Sequence, residues 1–228
     1  METENVYAKK NGKDLFEMYQ NGDFEAGYWF ARLVFNAKYK PNLIDGISKK
    51  ELNEKTKKDA EDCIIAGAEA CNFNCMHEAA DMYFTGRREP GTFGSTIFNA
   101  QYAKSKTWYL KLLELSSIDN EKKGLATFRL GMLSFMMEDG TVEESVDFWN
   151  KARGISSEYS KHAIARLATH YYEIKDYDKA VPLLESIYKQ KPYSAILLSQ
   201  CYRNGYGVDV NLIKSAELTE FWQDSDNT

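Results

Sequence analysis

The sequence predicts an all-α fold, a solenoid of about five antiparallel helix pairs, and three observations carry that prediction. Only four of the 228 residues are proline, too few to break up a helical chain. The alternating Val-, Ile- and Thr-rich runs that mark half-buried strands are missing, and small and large apolar residues recur at helical spacing instead. Finally, the helical pattern itself repeats, as it must where single helix pairs stack into a larger array.

The frame is clearest in the run from Cys75 to Gly86. A small residue stands first, an apolar and a small residue fifth and sixth (Ala79-Ala80), and Met82-Tyr83 eighth and ninth. It also fits Ala26 with Phe30-Ala31 and Leu33-Val34, Ala126 with Leu130-Gly131 and Leu133-Ser134, and Ala163 with Leu167-Ala168 and His170-Tyr171. A fifth copy is Ser194 with Leu198-Ser199 and Cys201-Tyr202. The small sixth residue is the one that would let a neighbouring helix approach closely.

Each first helix is followed by a second with its own pattern, clearest in KSKTWYLKLL (104–113) and related to 59–68, 144–152, 179–188 and 214–222. The anchors at 26, 75, 126, 163 and 194 lie 49, 51, 37 and 31 residues apart. The whole chain therefore reads as one repeat domain over 1–228. It has a divergent first unit at 13–71 and later units at 75–115, 126–154, 163–191 and 194–222. Ser48-x-x-Glu51 is a capping box opening the helix of 49–71, and Asn21-Gly22-Asp23 ends a leading helix at about 13–20. The two long inserts, 36–47 and 86–99, are of a length that often carries function.

The run CYRNGYGVDVNLIKSAELTEFW (201–222), with its Tyr-x-x-Gly-x-Gly-Val turn and following Lys-Ser-Ala, resembles a Sel-one-like repeat, a slightly longer relative of the tetratricopeptide repeat. The second helix at 104–113 is similar to that family's pattern too, while the unit at 163 resembles a plain tetratricopeptide unit of about 34 residues. The resemblance, of a bacterial type, covers most of residues 26–222. It implies a right-handed superhelical α/α solenoid whose first helices line a concave groove used for binding proteins.

Charge and composition narrow the function. Basic against acidic residues number 16 to 17 in residues 1–114 and 13 to 17 in 115–228, giving the net charge of -5. Neither half is basic, so nucleic acid is not an expected partner. No apolar stretch of signal-peptide or membrane-spanning length occurs, so no membrane partner is expected and the location expected is cytoplasmic. The four cysteines (Cys63, Cys71, Cys75, Cys201) are too sparse and uneven for a disulfide framework and are expected reduced.

If the tetratricopeptide register carries over, the third, fourth, seventh and tenth places of the frame face the groove. They select Tyr28, Trp29, Arg32 and Phe35; His77, Glu78, Asp81 and Phe84; Phe128, Arg129, Met132 and Phe135; Ala165, Arg166, Thr169 and Tyr172; and Ile196, Leu197, Gln200 and Arg203. The partner-binding candidates among them are Tyr28, Trp29, Arg32, His77, Glu78, Asp81, Phe84, Arg129, Met132, Arg166, Tyr172 and Arg203. Aromatics, Met and Arg are the types enriched in interface hot spots, and Trp29 leads the set. Arg129 and Arg166 share one place in adjacent repeats, a ladder suited to a carboxylate.

Catalytic constellations are not expected. Cys71-x3-Cys75-x-His77 has the outline of half a metal site, but Cys75 and Cys201 fall at packed places and Cys63 and Cys71 share a helix face, so no metal is assigned. GTFGST (91–96) lacks the Gly-Lys-Ser/Thr ending of a phosphate loop. The histidines His77, His162 and His170 sit in no nucleophile motif, Glu143-Glu144 and Glu61-Asp62 point apart on their helices, and Trp108 and Trp149 read as core. No enzyme activity and no cofactor follow. The expectation is a module that binds another protein through its groove, as an adaptor. The alternative is an immunity protein that neutralises a cognate secreted interbacterial toxin acting in the cytosol.

Overall fold

The computed structural model describes residues 6–36, 38, 48–88, 96–98, 100–116 and 118–226, so most of both inserts lies outside the described residues. The fold is all-α in its core, as the repeat frame predicts. Among the described residues there are eleven helices and one short antiparallel hairpin, β1 (Arg87–Arg88) with β2 (Thr96–Phe98), whose register slips between its two pairs.

Two compact units divide the chain, Met1–Glu114 and Leu115–Thr228. The first holds α1 (Gly12–Gln20), α2 (Phe24–Phe35), α3 (Lys49–Glu69), α4 (Phe73–Thr85), the hairpin and α5 (Tyr102–Leu113). In the second lie α6 (Asn120–Met136), α7 (Val142–Arg153), α8 (Glu158–Glu173), α9 (Tyr177–Ile187), α10 (Tyr193–Asn204) and α11 (Leu212–Asp226). Within each unit consecutive helices pack together, and first helices also touch one another: α2 on α4, α6 on α8, α8 on α10. That double contact is how stacked helix pairs bury faces that no single pair could cover.

Local chemistry starts and stops these helices where the frame needs them. Asn11, Asp23, Asn72, Asp119 and Thr141 each accept a backbone N–H of the first turn of α1, α2, α4, α6 and α7, satisfying donors that a helix start leaves open. At α3 the capping box is complete: the Glu51 N–H donates to Ser48 Oγ at 3.2 Å and the Ser48 N–H to Glu51 Oε2 at 3.0 Å. Gly205, in the left-handed region at φ 74°, ends α10, a conformation that costs glycine little.

Packing follows the frame closely. First-place residues Ala26, Cys75, Ala126, Ala163 and Ser194 are all buried, as are the sixth-place Ala31, Ala80, Gly131, Ala168 and Ser199. Facing them, the second helices supply small residues of their own. Ser105 of α5 donates from Oγ to the Ala80 carbonyl at 2.8 Å, and Ser215 of α11 meets the hydroxyl of Ser199 at 2.9 Å. Trp149 of α7 lies against Gly131 so closely that a Cβ there would stand 2.4 Å from its Nε1. Trp108 and Trp149 are both core residues.

Candidate protein-binding surface

In the first unit, α2 and α4 lie side by side and open a cleft of about 310 Å³ lined by Tyr28, Arg32, Phe35, Asn36, His77 and Glu78. Arg32 is held over it by its neighbours: Nη1 donates to Tyr28 Oη at 3.1 Å, and the guanidinium sits 5.7 and 5.6 Å from the Tyr28 and Trp29 rings. His77 stacks on Phe73 at 6.4 Å, and Phe84 tilts against Tyr102 at 6.1 Å.

Trp29 is half-buried and belongs to a network that the sequence does not announce. Its Nε1 donates to Glu25 Oε1 at 3.0 Å, and the same carboxylate accepts from Asn74 Nδ2 at 2.9 Å and Asn72 Nδ2 at 3.2 Å. Glu25 thus ties the indole of α2 to the start of α4, 47 to 49 residues onward. Asp81 likewise has a scaffold role, accepting from the hydroxyl of the fully buried Tyr109 at 3.2 Å.

In the second unit, the same column places Arg129 and Arg166 on the contacting helices α6 and α8, with Met132 half-buried and Arg166 and Arg203 exposed. Phe128 and Leu197, which share the column, are buried at 9 and 6% exposure, so neither lies open for a partner. Phe128 is covered by ring contacts with Tyr159 at 6.1 Å and His162 at 5.6 Å. Tyr172 donates to Gln200 Oε1 at 2.5 Å and meets Tyr177 edge-on at 5.6 Å. Tyr177 in turn stacks nearly parallel on Tyr206, with centroids 4.6 Å apart. That stack depends on Gly207, at φ 69°, where a Cβ would stand 2.9 Å from Tyr177 Cβ and Tyr177 O.

Burial pushes the thiols of Cys63 and Cys75 up to about 12 and that of Cys201 up to about 11, the behaviour of small packed hydrophobes, not nucleophiles. Among the described residues no three His, Cys, Asp or Glu side chains come together as metal ligands. Nor, among those residues, is any helix long and apolar enough to cross a membrane.

Paired helices, with first helix packed against first helix, make up a fold that has solved counterparts. A Sel1 repeat protein from Oxalobacter formigenes aligns over 93% of this chain and 55% of its own length, with a TM-score of 0.56 and 18% identity. The chain has a Sel1-like repeat fold. The c5321 protein, a protective antigen present in uropathogenic Escherichia coli strains and displaying an SLR fold, aligns over 95% of this chain and 43% of its own, with a TM-score of 0.59 and 17% identity. This chain thus spans about half the length of the Sel1-like structures it matches. No family model matches the sequence, and no curated protein does. The signal that could have exposed the Glu25 network is its sequence position one residue before Ala26, where a carboxylate can reach Trp29 one turn onward. The tyrosine stack was foreshadowed only by the glycines of the Tyr-x-x-Gly-x-Gly turn.

Proposed function

We propose that this chain is a protein-interaction module that engages its partner through the outward faces of its first helices. The observation that carries this reading is the cleft between α2 and α4. Stacked helix pairs expose successive first-helix faces as a binding surface, and here that surface is indented and lined by Tyr, Arg, Phe and His, side chains suited to seating a partner's anchor. Trp29, fixed by Glu25, then serves as a rigid aromatic wall beside the cleft, at low entropic cost because its rotamer is already set. Tyr28, Arg32, His77, Glu78 and Phe84 are the contacts proposed for the first unit, and Arg129, Met132, Arg166, Tyr172 and Arg203 for the second. Asp81 supports the scaffold beneath them.

The test is affinity capture from cell extract with the immobilised chain, mass spectrometry of what is retained, and titration of the purified partner against variants. Tyr28→Ala with Arg32→Ala should weaken binding by about 30-fold or more, the scale of hot-spot loss. Unchanged affinity in a variant whose circular dichroism is native would overturn the assignment. The identity of the partner decides between the two finer roles. A secreted toxin whose activity is blocked stoichiometrically would make the chain an immunity protein, and a component of a larger assembly would make it an adaptor.

A further inference from the structure

We infer that the second unit carries a seat for an extended acidic peptide, with Arg129, Arg166 and Lys191 grouped about His162 to hold its carboxylates. This rests on the protein-binding reading and names the chemistry of the partner at one end of the surface.

The seat is built from three elements. Arg129 on α6 and Arg166 on α8 occupy the same place of the frame on helices that touch. Lys191, in the turn before α10, extends its Nζ to 3.1 Å from His162 Nε2. An ammonium can only donate, so Nε2 is the unprotonated acceptor and the imidazole is neutral. The ring packs in a triangle with Phe128 and Tyr159, at 5.6 and 5.8 Å. Burial, then the charge of Lys191, and further the charges of Arg129 and Arg166, hold the imidazole below its ordinary value, against the pull of Glu158. Glu158 is itself engaged by Lys161 at 2.9 Å. Three cations against one carboxylate therefore act on this ring, on a chain whose net charge is -5.

Spacing selects the ligand. Side chains on neighbouring packed helices stand apart by about the interhelical distance, 8–10 Å. An extended peptide advances about 3.3 Å per residue with successive side chains on opposite faces, so carboxylates two residues apart, about 6.6 Å along the chain, turn one face toward the two arginines. Acidification adds a further step. Protonated at Nε2, His162 can no longer accept from Lys191, so the ammonium is released toward the ligand while the ring gains a charge of its own. Binding of the peptide and protonation of His162 thus reinforce each other.

The probe is a fluorescein-labelled peptide with Glu at every second position in a Gly/Ser background, titrated with the full chain by fluorescence anisotropy at about 50 mM salt, where surface charge is little screened. Saturable binding is expected for the Glu peptide and none for its Lys counterpart. Arg166→Ala should weaken it about tenfold, on the scale of one charged hydrogen bond, and Arg166→Glu more. Tightening between pH 7.5 and 5.5 is expected in the parent and not in His162→Gln. Absence of binding, indifference to Arg166→Glu in a natively folded variant, or equal displacement by millimolar inorganic phosphate or by DNA would overturn the peptide seat. If the captured partner still binds Arg166→Glu but loses affinity with Tyr28→Ala and Arg32→Ala, the protein-binding reading stands and this inference falls.

Discussion

The first-helix faces of the two units are cut to one frame and carry different chemistry. In the first unit the outward residues are tied to each other and to the scaffold: Glu25 gathers Trp29, Asn72 and Asn74, Arg32 leans on Tyr28, and Asp81 serves Tyr109. In the second unit the corresponding fourth places carry Arg129 and Arg166 on the contacting helices α6 and α8, and further along a tyrosine stack forms on α9 and the turn after α10. Backbone packing is set at the first, fifth and sixth places, where Ala, Phe and Cys are buried in the first unit and Ala, Leu, Gly and Ser in the second. The seventh and tenth places are under no such demand. A repeat can therefore hold its stacking constant and vary what it binds.

If that division of labour is right, the largest stability losses come from the close approaches, and they are alike in the two units. In the second, a Cβ at Gly131 would stand 2.4 Å from Trp149 Nε1 and 2.5 Å from Cδ1, on an indole that is 3% exposed and has no room to turn. Its counterpart is Gly67 of α3, where a Cβ would meet Cys75 Sγ at 2.3 Å and Cys75 Cβ at 2.9 Å. Gly131→Ala and Gly67→Ala should each cost about 2–3 kcal/mol, the upper range for overpacking, read as a lowered urea midpoint. A loss confined to one unit would break the comparison.

A smaller effect separates scaffold from surface within the first unit. The Tyr109 hydroxyl is carried on a fully buried ring and donates to Asp81. Tyr109→Phe should cost about 1 kcal/mol, and Asp81→Ala more, because it deprives a buried hydroxyl of its acceptor. Asp81→Asn keeps an acceptor and should unfold close to the parent. Loss of partner affinity in Asp81→Asn at unchanged stability would move Asp81 from the scaffold to the contact surface.

How much of this was legible in the sequence depends on how far apart the interacting residues lie. The fold was readable because burial at a fixed place forces a small residue there each time, as with Ala31, Ala80, Gly131, Ala168 and Ser199. The outward column was readable as places, yet its chemistry was not. Phe128 occupies the place of Tyr28 and is buried by Tyr159 and His162, rings that arrive from the next repeat. Lys191 meets His162 across 29 residues, and Asn74 meets Glu25 across 49. A period of roughly one repeat relates residues of like place, whereas Lys191 with His162, and Phe128 with Tyr159 and His162, join unlike places of successive repeats; Glu25 and Asn74 do share a place, the one just before the anchor, which lies outside the frame.

The smallest effect concerns how the helices stop, and both units share it. After α3, the Cys71 N–H donates to the Ala68 carbonyl and the Asn72 N–H to that of Gly67. After α8, the Lys175 N–H donates to Tyr172 and the Asp176 N–H to Tyr171 in the same pattern. Both are Schellman caps, and each puts a side chain where glycine belongs, with φ 59° at Cys71 and 63° at Lys175. The cap after α1 repeats the two bonds, Gly22 to Tyr19 and Asp23 to Met18, with glycine in that place at φ 96°. The left-handed conformation costs an L-residue about 1–2 kcal/mol, and glycine gives back roughly 0.5–1 of the gain through the entropy it loses on folding. Cys71→Gly and Lys175→Gly should therefore each stabilise the chain by about 0.5–1 kcal/mol. Gly22→Ala should destabilise it by a similar amount, since a Cβ there meets nothing within 4 Å and only the backbone term remains. Thermal unfolding of the three variants would check this, and a melting temperature lowered by Lys175→Gly would mean that the lysine side chain supports its turn by contacts that outweigh the backbone cost.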